Sequence, residues 1–292
     1  MSVTEIEISS QPEKWREALA LLPTVRSQLP VAGQRVAVIG CGTSYFIAKA
    51  VSRLRETLGL GETDAFVASE MPISRHYDLV VAISRSGTTT EVVRALGALA
   101  DGIRSLAITA VVDTPVVNAA DQAVLLPFAD EESVVQTRFA TTALALMRAH
   151  FGQDLEAVIA DAEAGMARPL PVDPADFEQF VFLGRDWTIG LADEAALKFR
   201  EAAGAWTESY HAMEYRHGPI SVAGSSTLVW FLSDVEPALV QDVRATGATV
   251  VIRSLDPMAE LVSIQQMAVA LAQSRGLDPD RPAHLTRSVV LP

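Results

Sequence analysis

Short runs rich in Val, Ile and Phe alternate with helix-period segments along this chain, and no other feature narrows the possible folds as far. The pattern predicts strands over 35–40, 79–84, 106–111, 123–128, 180–184, 228–233 and 250–254. Helices are predicted over 45–57, 88–99, 141–151, 155–167, 189–203, 235–246 and 258–276. Near-continuous apolar strands separated by helices imply an α/β fold whose mainly parallel sheets are covered on both faces. Three prolines between Arg168 and Pro174 read as a linker, which divides the chain into lobes over 1–168 and 175–292. A repeat crosses that linker. Val36-Ala-Val-Ile-Gly40 is echoed 144 residues on by Phe180-Val-Phe-Leu-Gly184, and Val81-Ala-Ile-Ser84 is echoed 149 residues on by Trp230-Phe-Leu-Ser233. Two similar offsets predict two copies of one α/β unit.

Charge limits the partners. Thirty-six acidic against 23 basic residues leave a formal charge of −13 with no basic cluster, a field that opposes nucleic acid and anionic membranes. With 49% hydrophobic and 20% charged residues the composition is globular. No apolar run approaches the ~20 residues of a membrane span, and the first residues lack the basic and apolar regions of a secretion signal. The expectation is a cytoplasmic protein. A single cysteine, Cys41, excludes an intrachain disulfide framework, and no His/Asp/Glu spacing suits a metal. Only Lys14, Lys49 and Lys198 are lysines, so each one stands out in a chain that otherwise uses arginine.

The densest local signal is Ser84-Arg-Ser-Gly-Thr-Thr-Thr90, placed between a strand and a helix. First-turn N–H groups and the helix dipole favour an anion there, Gly87 lets backbone approach it, and the hydroxyls of Ser84, Ser86, Thr88 and Thr89 add donors suited to phosphate oxygens. A helix cap needs one such residue; this segment has six hydroxyl or glycine positions in seven. After the repeat-equivalent Ser233 comes Asp-Val-Glu-Pro, so only the first copy is equipped to bind an anion at this point. Gly40-Cys-Gly-Thr-Ser44 also lies between strand and helix. It is no dinucleotide fingerprint, and it fits an ordinary glycine turn as well as it fits a ligand loop.

In the second lobe, Glu194, Lys198 and Glu201 are spaced by four and three residues, which puts them on one helix stripe. A solvated face with a weak ion pair is the ordinary origin of such spacing. The segment 207–219 that follows is polar, aromatic and aperiodic, and its His217 precedes Gly-Pro in a predicted loop, where an imidazole can act as acid or base. The remaining histidines, His76, His150, His211 and His284, stand in no such group. An anion loop together with a carboxylate, an ammonium and an imidazole suits proton transfer on a phosphorylated substrate.

At these residues the chain resembles the sugar isomerase (SIS) domain family, in the layout of the isomerase half of glucosamine-6-phosphate synthase and of amino-sugar-phosphate isomerase/deaminase proteins. The matching segments are GCGTS (40–44), ISRSGTTTE (83–91), ESVVQT (132–137), EAALKFRE (194–201), EYRHGP (214–219) and HLTRSVVL (284–291), in family order over nearly the whole chain. The resemblance implies two flavodoxin-like lobes, each a five-stranded parallel sheet flanked by helices. It implies a sugar phosphate held by Thr43, Ser44, Ser84, Arg85, Ser86 and Thr89, with Glu201 as the base for a C1–C2 proton shift. Glu194 and Lys198 fall at supporting positions, and His217 at the ring-opening histidine, which in relatives comes from the neighbouring subunit of an obligate homodimer. No metal or organic cofactor is implied.

Three departures accompany it. No glutaminase domain or N-terminal nucleophilic cysteine is present, so ammonia release from glutamine is not expected. Arg287 stands where the family has a C-terminal lysine; a guanidinium forms no imine, although it can stabilise an oxyanion. Arg85 replaces the glutamine commonest in the synthases and would add a cation beside the phosphate. The expected activity is isomerisation or deamination of a hexose or hexosamine 6-phosphate, with a fructosamine-6-phosphate deglycase as a variant. The rival is a sugar-phosphate-binding regulatory module without turnover. Such regulators carry a basic DNA-binding segment ahead of the SIS unit, and the residues before the first predicted strand are not basic.

Overall fold

A computed structural model describes residues 1–291, and they form two compact α/β units. The N-lobe comprises residues 10–132, 136–155 and 286–291; the C-lobe comprises 1–9, 133–135 and 156–285. The boundary is less simple than a cut at the proline-rich stretch. Residues 1–9 and 156–168 belong to the C-lobe, and the last residues to the N-lobe.

Chain order runs α1 (Val3–Ser9), α2 (Gln11–Val25), β1 (Val36–Gly40), α3 (Thr43–Thr57), β2 (Thr63–Val67), β3 (Leu79–Ile83), α4 (Thr90–Gly97) and β4 (Arg104–Thr109). It continues with α5 (Pro115–Ala119), β5 (Gln122–Leu125), α6 (Arg138–His150) and α7 (Leu155–Met166). The rest is β6 (Gln179–Gly184), α8 (Thr188–Ala203), β7 (Trp206–His211), β8 (Thr227–Phe231), α9 (Pro237–Ala245), β9 (Thr249–Ile252) and α10 (Pro257–Ser274). No described helix is long and apolar enough to cross a membrane.

The N-lobe sheet is parallel in the order β2-β1-β3-β4-β5. Every residue of β1 and β3 is buried, which is why both read as unbroken apolar runs. Trp15 on α2 is fully buried and donates its indole N–H to Thr141 on α6 at 3.0 Å, joining two helices of this lobe. The C-lobe sheet is parallel in the order β7-β6-β8-β9. It repeats the first four places of the N-lobe order and has four strands among the described residues, not the five that the resemblance implied. After β9 the chain goes directly into α10, and its end then packs on the N-lobe.

The repeat extends to atomic detail. A Cβ at Gly40, ending β1, would lie 2.6 Å from the Ser44 carbonyl carbon; one at Gly184, ending β6, would lie 2.5 Å from the Thr188 carbonyl oxygen. In both lobes the next helix packs on its strand so closely that only glycine fits. Of the four edge strands, β2 and β7 had gone unpredicted. They are half-exposed and polar (Thr63-Asp-Ala-Phe-Val67; Trp206-Thr-Glu-Ser-Tyr-His211) and so lack an apolar run. The segment expected to be aperiodic over 207–219 is therefore partly regular: it completes β7 and then enters a 3-10 turn over Ala212–Arg216.

Candidate active site

In the N-lobe, the turns after β1 and β3 leave neighbouring strands at the carboxyl end of the sheet, the edge where open parallel sheets bind ligands. After β1, Gly42 takes φ +53 and lets α3 begin abruptly at Thr43; Thr43 and Ser44 are buried in its first turn. Cys41 is half-buried, and burial first, then the Glu91 charge, pushes its thiol above the usual range. After β3, Ser84, Arg85 and Ser86 are buried. Gly87 adopts φ +65, and a Cβ there would collide with the Thr114 side chain. α4 then starts at Thr90, preceded by Thr89 in extended conformation.

The hydroxyls of this turn point at one another. Ser84 and Thr89 lie 3.4 Å apart, and Thr88 directs both its N–H (3.3 Å) and its hydroxyl (3.1 Å) to Ser86 Oγ. Arg85 is not a solvent-facing cation. Its Nη1 lies 3.9 Å from Glu131 Oε2, both groups being buried, and its Nη2 donates to the Arg287 carbonyl oxygen at 2.7 Å. Glu131 in turn caps α6: Oε1 accepts from the N–H groups of Thr137 (2.6 Å) and Arg138 (2.8 Å) and from the Thr137 hydroxyl (2.9 Å). The Arg287 guanidinium bonds Asp130 Oδ1 at 2.5 Å and the Glu131 carbonyl at 3.0 Å. Glu131 and Ser288 were passed over in the sequence, although 132–137 and 284–291 had both been matched as motifs. Chain separation hid their proximity.

In the C-lobe, α8 is packed on both sides, and its polar stripe is not a solvated face. Glu194 and Lys198 are 0% and 1% exposed. Lys198 Nζ lies 3.3 Å from Glu194 Oε1 and 2.5 Å from Glu201 Oε2. Glu201, one turn further on, retains 19% side-chain exposure, so the stripe runs from a buried carboxylate through a buried ammonium to a carboxylate that reaches solvent. Below β7, Tyr215 is fully buried in the apolar cluster with Val181 and Val229. Burial first, then the charge of Glu208, pushes its phenol up to about 12, so it stays neutral. It anchors the 3-10 turn whose end exposes His217, followed by Gly218 at φ +128. His150, set aside earlier, is half-buried with Nε2 2.8 Å from the Pro30 carbonyl.

Two parallel flavodoxin-like lobes, one carrying a Ser/Thr/Gly turn at its carboxyl edge, define a class of two-domain α/β protein. Residues 30–151 match the SIS domain. It is 28% identical over 295 residues to glutamine–fructose-6-phosphate aminotransferase (isomerizing) of Sulfurisphaera tokodaii, covering 88% of this chain and 50% of that one. The same enzyme of Methanothermobacter thermautotrophicus is 26% identical over 98% of this chain and 57% of its own. The chain thus spans about half the length of these curated relatives. The crystal structure of glucosamine-6-phosphate deaminase from Thermotoga maritima is similar with a TM-score of 0.86 at 27% identity, over 99% of this chain and 100% of that chain. Tagatose-6-phosphate ketose/aldose isomerase from Escherichia coli, at 20% identity and a TM-score of 0.83, shares the fold over 100% of this chain and 96% of its own.

Proposed function

We propose that this protein is a phosphosugar isomerase or deaminase acting on a hexose or hexosamine 6-phosphate. The observation that carries the reading is the α8 stripe: Glu194 and Lys198 are buried, while Glu201 alone reaches solvent beside the ammonium. A face kept only for solubility would not desolvate a lysine and a glutamate. The similarity to a glucosamine-6-phosphate deaminase and to the aminotransferases supports the same substrate class.

In this reading the ester is held by Thr43, Ser44, Ser84, Ser86 and Thr89. Their hydroxyls and the first-turn N–H groups of α3 and α4 donate to a dianion that only accepts. Ring opening needs a group that relays a proton between the anomeric hydroxyl and the ring oxygen, a role given to His217. Glu201 then takes the proton from one carbon of the C1–C2 pair and returns it to the other. With an amino sugar, the resulting ketimine is hydrolysed, and water replaces nitrogen as ammonia leaves. Lys198 holds the Glu201 carboxylate in place through their ion pair, and Glu194 balances Lys198. A dianionic substrate does not cross bilayers, so the compartment in this reading is the cytoplasm.

His217 is further proposed to serve the neighbouring subunit of a homodimer. Mixing inactive Glu201→Gln and His217→Ala subunits should then restore up to about a quarter of wild-type activity, from the one site in the mixed dimer that is intact. Mixtures that stay inactive would place His217 in its own subunit's site.

The direct test is a panel of hexose and hexosamine 6-phosphates with ammonia and ketose read separately. Turnover of one of them supports an enzyme, and the product assigns deaminase or isomerase. Tight binding with no isomerisation, deamination or deglycation across the panel would replace the enzyme by a sugar-phosphate sensor.

A further inference from the structure

The turn that carries Ser86 and Thr88 has a hydroxyl beside it that its own stretch of sequence does not contain. Ser288, 200 residues beyond Thr88, lies 2.8 Å from Thr88 Oγ1 and 3.0 Å from Ser86 Oγ. Since Thr88 Oγ1 also donates to Ser86 Oγ at 3.1 Å, the three hydroxyls close a triangle. Each has one proton and two lone pairs, so inside the triangle every proton goes to another hydroxyl. An acceptor-only dianion would draw those protons outward.

Backbone bonds fix the tail on the turn. Thr90 N–H donates to the Val289 carbonyl at 3.4 Å, and Leu291 N–H donates to Thr90 Oγ1 at 2.9 Å. Side chains fix it a second time. Arg85 donates to the Arg287 carbonyl, and the Arg287 guanidinium reaches back to Asp130 and to the Glu131 carbonyl. Glu131 stands 3.9 Å from Arg85 and is itself held by the start of α6. Positions 85 and 287, where this chain has arginine in place of glutamine and lysine, therefore belong to one clamp, and Ser288 is the residue it delivers to the turn.

We propose that Ser288 is a substrate-binding residue, a hydroxyl donor to the oxygens of the phosphate ester, and that Arg287 is the positioning residue that holds it there. The inference rests on the reading of 84–90 as the ester-binding turn. It gives Arg287 a task that does not involve the sugar carbonyl: its guanidinium is bound to Asp130 and Glu131, and what it controls is the place of the next residue.

The test is calorimetric titration of inorganic phosphate into the full chain and its Ser288→Ala, Ser288→Thr, Arg287→Ala and Ser86→Ala variants, with kcat and KM measured on the sugar phosphate turned over best. Ser288→Ala should raise Kd about tenfold, the loss expected for a hydrogen bond to a charged group. Ser288→Thr, which keeps the hydroxyl, should stay within about twofold of wild type. Arg287→Ala should raise KM and leave kcat nearly unchanged. If Ser86→Ala weakens phosphate binding while Ser288→Ala does not, this inference fails and the ester-binding turn stands. If neither weakens it, the turn itself has been misread. Tighter binding by Ser288→Ala would make the tail a competitor of the ester and overturn the proposal, as would a fall in kcat at constant KM for Arg287→Ala.

Discussion

After β3 the N-lobe enters Ser84–Thr90, a turn of buried and half-buried hydroxyls around a left-handed Gly87 that opens α4; after the equivalent β8 the C-lobe runs through Ser233 into Asp234-Val-Glu-Pro237. After β1, α3 begins with buried Thr43 and Ser44; after the equivalent β6, α8 buries Glu194 and Lys198. The packing that the two lobes share is kept to the level of one glycine each, Gly40 and Gly184. In the proposed function the polar groups are divided between them: hydroxyl and N–H donors for an anion in the N-lobe, charged groups for moving a proton in the C-lobe. Binding and chemistry should therefore separate under mutation.

The harshest way to break that division is Lys198→Met. It leaves the Glu194 carboxylate buried without its cation, and breaking such a pair costs about 3–5 kcal/mol. Urea unfolding should show that loss, with much of it recovered in Glu194→Gln/Lys198→Met. A loss below about 1 kcal/mol would mean that the stripe is solvated after all.

Ser86→Ala combined with Thr89→Ala probes the other side. At ~1.5–3 kcal/mol for each hydrogen bond to a charged group, sugar-phosphate affinity should fall by about 3 kcal/mol or more, with little change in C-lobe stability. Unchanged affinity would move the ester site elsewhere.

The smallest effect concerns Glu260 of α10, buried in the C-lobe with Trp230 Nε1 at 3.2 Å and Arg253 Nε at 3.5 Å. Burial pushes its carboxyl up to about 7, against the opposing pull of Arg253 and the Trp230 N–H. An acid whose folded pKa lies above its unfolded value binds more protons in the folded state. Its contribution therefore favours folding at low pH and declines as pH rises from about 4.5 to about 7. Glu260→Gln should remove a decline on the order of 2 kcal/mol between pH 4.5 and 8, read from denaturant midpoints at both pH values. A wild-type midpoint that changes with pH no differently from the variant's would contradict the assignment.

How much of this was legible in the sequence depended on burial. Interior strands such as β1, β3, β6 and β8 are almost wholly apolar and lay within a few residues of their predicted bounds. The edge strands β2 and β7 expose one side to polar surroundings and gave no run to detect. α2 escaped notice although Trp15, Ala18, Leu22 and Val25 fall on one buried stripe, because Pro23 and the surrounding charges blur its period. At the site, every candidate on 84–90 and 194–201 lay in contiguous sequence, where spacing alone groups residues. The clamp of Arg85, Glu131 and Arg287 joins segments separated by as many as 202 residues, and no local pattern reports such closure.

Affinity and turnover measured together on Glu201→Gln address the central claim most directly. The variant keeps the shape of α8 and removes the carboxylate proposed to take the proton. The account predicts sugar-phosphate affinity within about twofold of wild type and turnover reduced by about 10²–10⁴, the usual contribution of a general base. Retained turnover, or affinity and turnover lost in equal measure, would contradict the assignment of grip to one lobe and proton transfer to the other.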